Sequence, residues 1–106
     1  MINVCYSPLK RICKLYNMAF EKAVIKDADM DVRMQEEAIS VAVTGMERHE
    51  VDKDVASHLK QYFNIHYGRT WHCIVGKQFG SDISYEEGSF LYFFLGDRSL
   101  LLFKSG

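Results

Sequence analysis

The adjacent pair His72-Cys73 is the first candidate for covalent chemistry, because a thiol activated by a nearby imidazole is a common nucleophile. Neighbouring side chains on a strand point to opposite faces, so the two cannot form a dyad with each other. A packed cysteine and a hydrogen-bonded or interfacial histidine is the reading that remains. His49, His58, His66 and His72 show no His-x3-His spacing, and Cys5, Cys13 and Cys73 no Cys-x2-Cys spacing, so no metal site is expected. Gly76 and Gly80 build no phosphate loop, since no Gly-Lys-Ser/Thr occurs and no helix follows. Asp52 and Asp54 suit the start of a helix better than an acid/base pair. No catalytic constellation and no cofactor is expected.

The elements that position these residues follow from the spacing of the apolar ones. Ala23 to Ala28 is a short apolar run that predicts a strand. Asp29 and Asp31 supply helix-start chemistry, and Met34, Ala38, Val41, Ala42 and Met46 then recur at intervals of three and four, predicting an amphipathic helix from Val32 to about Glu50. Asp52 is placed to cap a second helix with the stripe Val55, Leu59, Tyr62, Phe63 and Tyr67, stopped at Gly68. After Gly68 the period changes to two. Trp71 to Gly76, Phe79 to Ser84, Ser89 to Leu95 and Ser99 to Phe103 read as short strands, with Gly96-Asp97 as a tight hairpin turn. One strand, two helices and four strands make an α+β fold: two helices on an antiparallel sheet.

Composition bounds the class. At 106 residues, 48% hydrophobic and 25% charged, the chain is one small globular domain. Its net charge of −1 argues against a chain-wide grip on nucleic acid. No apolar run reaches the length of a membrane span, and Pro8, Lys10, Arg11 and Lys14 interrupt any signal-peptide core. The odd, sparse cysteines fit a reducing, intracellular setting. The average hides an asymmetry: residues 1–17 hold those three bases and no acid, so they carry +3 and leave −4 on the remainder. The segment is expected to be a poorly ordered extension. A basic amphipathic helix for a membrane surface or partner, a targeting segment, and a translation start at Met18 are its other readings.

The aromatics, 13% of the chain, point to partners. In the run from Phe90 to Leu95, Phe90, Tyr92 and Phe94 face one way and Leu91, Phe93 and Leu95 the other, so both faces are apolar. Two helices cover one face, and the second is expected to meet another subunit or a ligand. Phe79 to Ser84 is polar at alternate positions and contains glycine, as an edge strand does, and an edge beside an aromatic groove is what β-augmentation needs.

Thr70-Trp71-His72-Cys73-Ile74-Val75-Gly76-Lys77-Gln78-Phe79-Gly80-Ser81 resembles the signature of the eight-kilodalton dynein light chain family. So do Ala23-Val24-Ile25-Lys26 with Ala28-Asp29-Met30, and the closing Leu101-Leu102-Phe103-Lys104-Ser105-Gly106. The likeness runs from Met18 to Gly106 and leaves residues 1–17 as an extension. It implies a strand-exchanged homodimer in which Phe79 to Ser84 crosses to the partner's sheet, with His72, Phe79, Ile83 and Ser105 at the interface. It also implies two grooves that take linear motifs, often ending in Thr-Gln-Thr, as an added strand. The implied partners are the dynein intermediate chain and other motif-bearing proteins, and the implied setting is the cytoplasmic, microtubule-associated dynein complex. Carried across, the groove uses Lys26, Lys77, Gln78, Phe79, Gly80, Ser81, Ile83, Phe90, Tyr92 and Phe94, with Asp52 and Lys53 receiving the motif's glutamine. Asp82, Ser84 and Tyr85 stand where the family usually has Tyr, Thr and His, which implies a shifted motif repertoire disfavouring acidic peptides. Two symmetry-related copies of His72 would charge as pH falls, which implies a dimer weakened below about pH 6. A phosphate on Ser105 would add close to two negative charges near that interface.

Overall fold

The computed structural model describes residues 23–105. The elements are β1 (Ala23–Met30), α1 (Val32–Arg48), α2 (Asp52–Tyr67), β2 (Trp71–Gly76), β3 (Ser89–Leu95) and β4 (Arg98–Lys104). The expectations for residues 1–17 lie outside the described residues. All strand pairings are antiparallel, and the sheet order is β1-β3-β4-β2. The α+β reading holds, with both helices on one face.

That face is built by alternation. Leu91, Phe93 and Leu95 of β3 and Leu100 and Leu102 of β4 are buried beneath the helices. From α1 come Ala38, Ile39, Val41, Ala42 and Val43, and from α2 Leu59 and Phe63. Trp71, 1% exposed, meets Phe63 edge-on at 4.9 Å between ring centres, which ties the start of β2 to the last turns of α2. Burying a side chain of this class fully is worth roughly 1.5–3 kcal/mol each, so this cluster holds the fold. Gly45 gives α1 its close approach to α2: a Cβ there would sit 3.0 Å from Cδ2 of His58.

The structure alters four expectations. The first strand runs two residues further, to Met30, because Ala28, Asp29 and Met30 pair with Leu91, Phe90 and Ser89. Asp31 precedes α1 without bonding a first-turn amide through its side chain. Asp52 is the first residue of α2 rather than its cap. Val51 holds the cap position, and the Asp52 carboxylate turns instead to Arg98. The segment Phe79 to Ser84 forms no strand within the chain. A strand needs a hydrogen-bonded neighbour, and β2, the nearest preceding strand, already spends one edge on β4. Its other edge has no partner among the described residues.

Candidate functional site

The face of the sheet away from the helices is organised in cross-strand rows. From β1 to β2 these are Asp29–Phe90–Phe103–His72, Asp27–Tyr92–Leu101–Ile74 and Val24–Phe94–Ser99–Gly76. Phe90, Tyr92 and Phe94 are half-buried where their alternates Leu91, Phe93 and Leu95 are buried. Val24 is 51% and Ile74 42% exposed, so apolar surface continues to both sheet edges. This is the second apolar face that the alternation of β3 demanded.

Residues 77–85 run beside it. Phe79 lies 6.1 Å from Tyr92, Tyr92 meets Phe94 edge-on at 5.6 Å, and Tyr85 stacks on Phe90 at 4.7 Å between ring centres. Lys77, Gln78, Phe79, Tyr92 and Phe94 line one open cavity of about 440 Å³, closed at the hairpin end by Gly96, Asp97, Arg98 and Ser99. Ser99 Oγ donates to the Lys77 carbonyl at 3.3 Å and pins the far wall. Lys26 adds a cation beside the mouth, its Nζ 5.6 Å from the centre of the Phe94 ring. Five groove residues inferred from the sequence therefore come together here, with Lys26 adjoining.

The others are placed differently. Gly80, Ser81, Asp82 and Ser84 are exposed and Ile83 half-buried, along a segment with no ladder partner. A Cβ on Gly80 would meet nothing within 4 Å. Lys53 is exposed in the first turn of α2. Asp52 lines a second cavity of about 230 Å³ together with Met46, His49, Glu50, Val55 and Arg98. His72 and Ser105 lie together at the β2 edge, His72 Nε2 being 3.2 Å from Ser105 Oγ.

The sequence reading passed over Arg98. Its Nε donates to Asp52 Oδ1 at 2.9 Å and its Nη1 to Asp97 Oδ1 at 2.8 Å, and the hydrogen bond to Asp52 leads the influences that hold the guanidinium protonated. The only local signal was the Gly96-Asp97 turn, which Gly96 serves with φ +65. Nothing in the spacing of Asp52 and Arg98 forecasts their meeting. A second cluster missed in the same way joins the helices: Tyr62 and Tyr67 both donate to the Glu37 carboxylate. Burial and that hydrogen bond push the Tyr62 hydroxyl up to about 12, and the same two influences, the bond leading, do so for Tyr67.

Desolvation pushes the Cys73 thiol up to about 12, which leaves little thiolate at neutral pH. Among the described residues no group of three or more His, Cys, Asp or Glu is arranged to hold a metal ion. Among them also, no helix is long and apolar enough to cross a membrane.

Comparison with known proteins bears on these surfaces. Residues 22–105 match the family model described as Dynein light chain type 1. A dynein light chain of Schistosoma mansoni is 51% identical over 89 residues, which cover 84% of this chain and all of that protein. Among solved structures, the dynein light chain-like domain of the Fasciola hepatica calcium binding protein FhCaBP2 superposes with a TM-score of 0.70 at 25% identity, covering 79% of this chain and 91% of that one. The corresponding domain of CsTAL3 shares the fold, with a TM-score of 0.65 at 14% identity over 78% of this chain and 92% of that one.

Proposed function

The chain belongs to the dynein light chain family, and on that premise we propose that it is a homodimeric module that binds short linear motifs by β-augmentation. Members of the family are generally non-catalytic and associate with motor proteins through protein–protein contacts. In this reading the module spans residues 18–106 and serves the cytoplasmic, microtubule-associated dynein complex, or other complexes whose chains it pairs. Its partners are a second copy of itself, the dynein intermediate chain and other proteins with Thr-Gln-Thr-like motifs.

The observation that carries the proposal is a pair of unmet hydrogen-bonding edges. Among the described residues the outer edge of β2 lacks a partner, and the segment 79–84 joins no ladder. Exposed edges of this kind invite strand addition. Exchange of the segment between two copies would satisfy one side of it and leave the other for a peptide, whose alternate side chains would meet Phe79, Tyr92 and Phe94. The edge strand would bring His72, Phe79, Ile83 and Ser105 to the dimer interface.

A second reading, a structural dimer with altered or lost motif specificity, is favoured by one observation. The Asp52 carboxylate, expected to receive the motif's glutamine, is already bonded to Arg98, and Asp82 adds a negative charge to the binding segment. Titration calorimetry with a Thr-Gln-Thr peptide, together with sedimentation of the protein, separates the cases. The first reading expects a dimer with two equivalent peptide sites. A dimer silent to the peptide supports the second, and a monomer that takes no peptide overturns both.

A further inference from the structure

The segment beside the second sheet face is tied at both ends. Ser99 Oγ donates to the Lys77 carbonyl at 3.3 Å, and Glu86 N donates to the Lys104 carbonyl at 2.8 Å. Between these ties, residues 79–85 join no ladder among the described residues. Tyr85 closes this stretch, 40% exposed, its ring stacked on Phe90 at 4.7 Å between centres. The other tyrosines among the described residues are half-buried: Tyr62 and Tyr67 donate to Glu37, and Tyr92 lies between Phe79 and Phe94. Asp82, Glu86 and Glu87 flank Tyr85 in sequence, and residues 78–88 hold no lysine or arginine, a balance of −3. Lys104, which meets this stretch, is already 3.5 Å from Glu86 Oε2.

An exposed phenol on a ladder-free segment flanked by carboxylates suits a tyrosine kinase with a basic substrate cleft. We propose that Tyr85 is a phosphorylation site, open while its segment is unexchanged, and that a phosphate there opposes exchange into the dimer. The γ-phosphoryl group of a nucleoside triphosphate passes to Tyr85 Oη, the phenolic proton goes to the kinase's base, and the nucleoside diphosphate leaves. The product adds close to two negative charges, which takes the segment from −3 to about −5. Lys104, already matched by Glu86, has little attraction to spare for it. A dianion on the ring favours water over the face of Phe90, and so weakens the contact that seats this end of the segment. A twofold dimer brings two such segments together, so the added repulsion is met twice. Exchange, once made, commits the backbone of 79–84 to a partner's edge and withholds it from a kinase cleft. The inference rests on the strand-exchange reading and adds a control on when exchange occurs.

The test treats the full chain with magnesium, ATP and the catalytic domain of a tyrosine kinase that favours acidic sequences, then maps phosphate by mass spectrometry. A synthetic peptide of residues 79–90 controls for recognition of the sequence. Phosphate is expected on Tyr85 and not on Tyr62, Tyr67 or Tyr92. The labelling rate per chain should fall as rising concentration drives the dimer. The phosphorylated chain should dimerise at least about tenfold more weakly in sedimentation, a loss that raised salt partly restores. Kinase treatment should leave the dimer strength of Tyr85→Phe where it was. A peptide or folded chain left unmodified at Tyr85, a labelling rate indifferent to dimerisation, or a phosphorylated chain that dimerises as before overturns the inference and leaves the exchange reading standing. A chain that is monomeric at every concentration before treatment overturns the exchange reading and the inference with it.

Discussion

The two faces of one sheet are built from the same kinds of side chain and have opposite fates. Beneath the helices, Leu91 and Phe93 of β3 have no exposed surface. One residue along the same strand, Phe90, Tyr92 and Phe94 keep part of theirs. An aromatic that folding buries contributes to stability, whereas one left half-exposed keeps its hydrophobic free energy for whatever next covers it. The difference is set by where the helices lie, because the residue types alone are nearly matched.

The sharpest way to break this comparison is to truncate one aromatic on each face. Phe93→Ala is expected to destabilise the fold by about 3–5 kcal/mol in chemical denaturation. Tyr92→Ala should cost only about 1 kcal/mol of stability, yet weaken peptide binding by about tenfold or more. Equal stability losses at the two positions would mean that the second face is as much a core as the first.

The covered face depends on its cover staying in place, and Glu37 helps to hold α1 to α2. Glu37→Ala leaves two half-buried phenols without their acceptor and should cost about 1–3 kcal/mol. The same pair supplies an alkaline limit. Both phenols titrate near 12 in the fold against an ordinary value near 10, so the fold favours their protonated form. That stabilisation is fully present below about pH 10 and is lost as pH rises through about 12. Denaturation midpoints across that range should fall in the natural chain and fall less in Glu37→Ala.

The smallest effect is expected on the acid side. Burial, with His49 and Arg48 nearby, lowers the His58 pKa, so the fold favours the neutral ring. The resulting stability is whole above the ordinary histidine value of about 6.5 and declines as pH falls below it. His58→Asn should flatten that part of the stability profile, measured before the carboxylates titrate. A profile unchanged by the substitution would remove His58 from the account.

How much was legible in the sequence depended on the range of the signal. The helices were, because their buried stripes are local patterns: Ala38, Val41 and Ala42 on α1, and Val55, Leu59 and Phe63 on α2, lie where their spacing placed them. The hairpin was, because Gly96-Asp97 is a turn in itself. Asp52 looked like a cap for a good local reason, but an arginine 46 residues away took its carboxylate. Tyr62 and Tyr67 read as members of a buried stripe, yet their hydroxyls needed an acceptor, and Glu37 supplied it from the other helix. The strand expected over Phe79 to Ser84 had the right residues and, among the described residues, no neighbour to complete it.

Taken alone, the sequence determined the elements, the two-sided apolar strand and the family, since each is written in short-range periodicity or in contiguous motifs. Only the tertiary structure decided which face the helices cover, which carboxylates are already spent, and that Arg98 lines two separate cavities. These are facts of long-range meeting, and hydrogen bonds and ion pairs between distant residues leave no periodic trace in the chain that makes them.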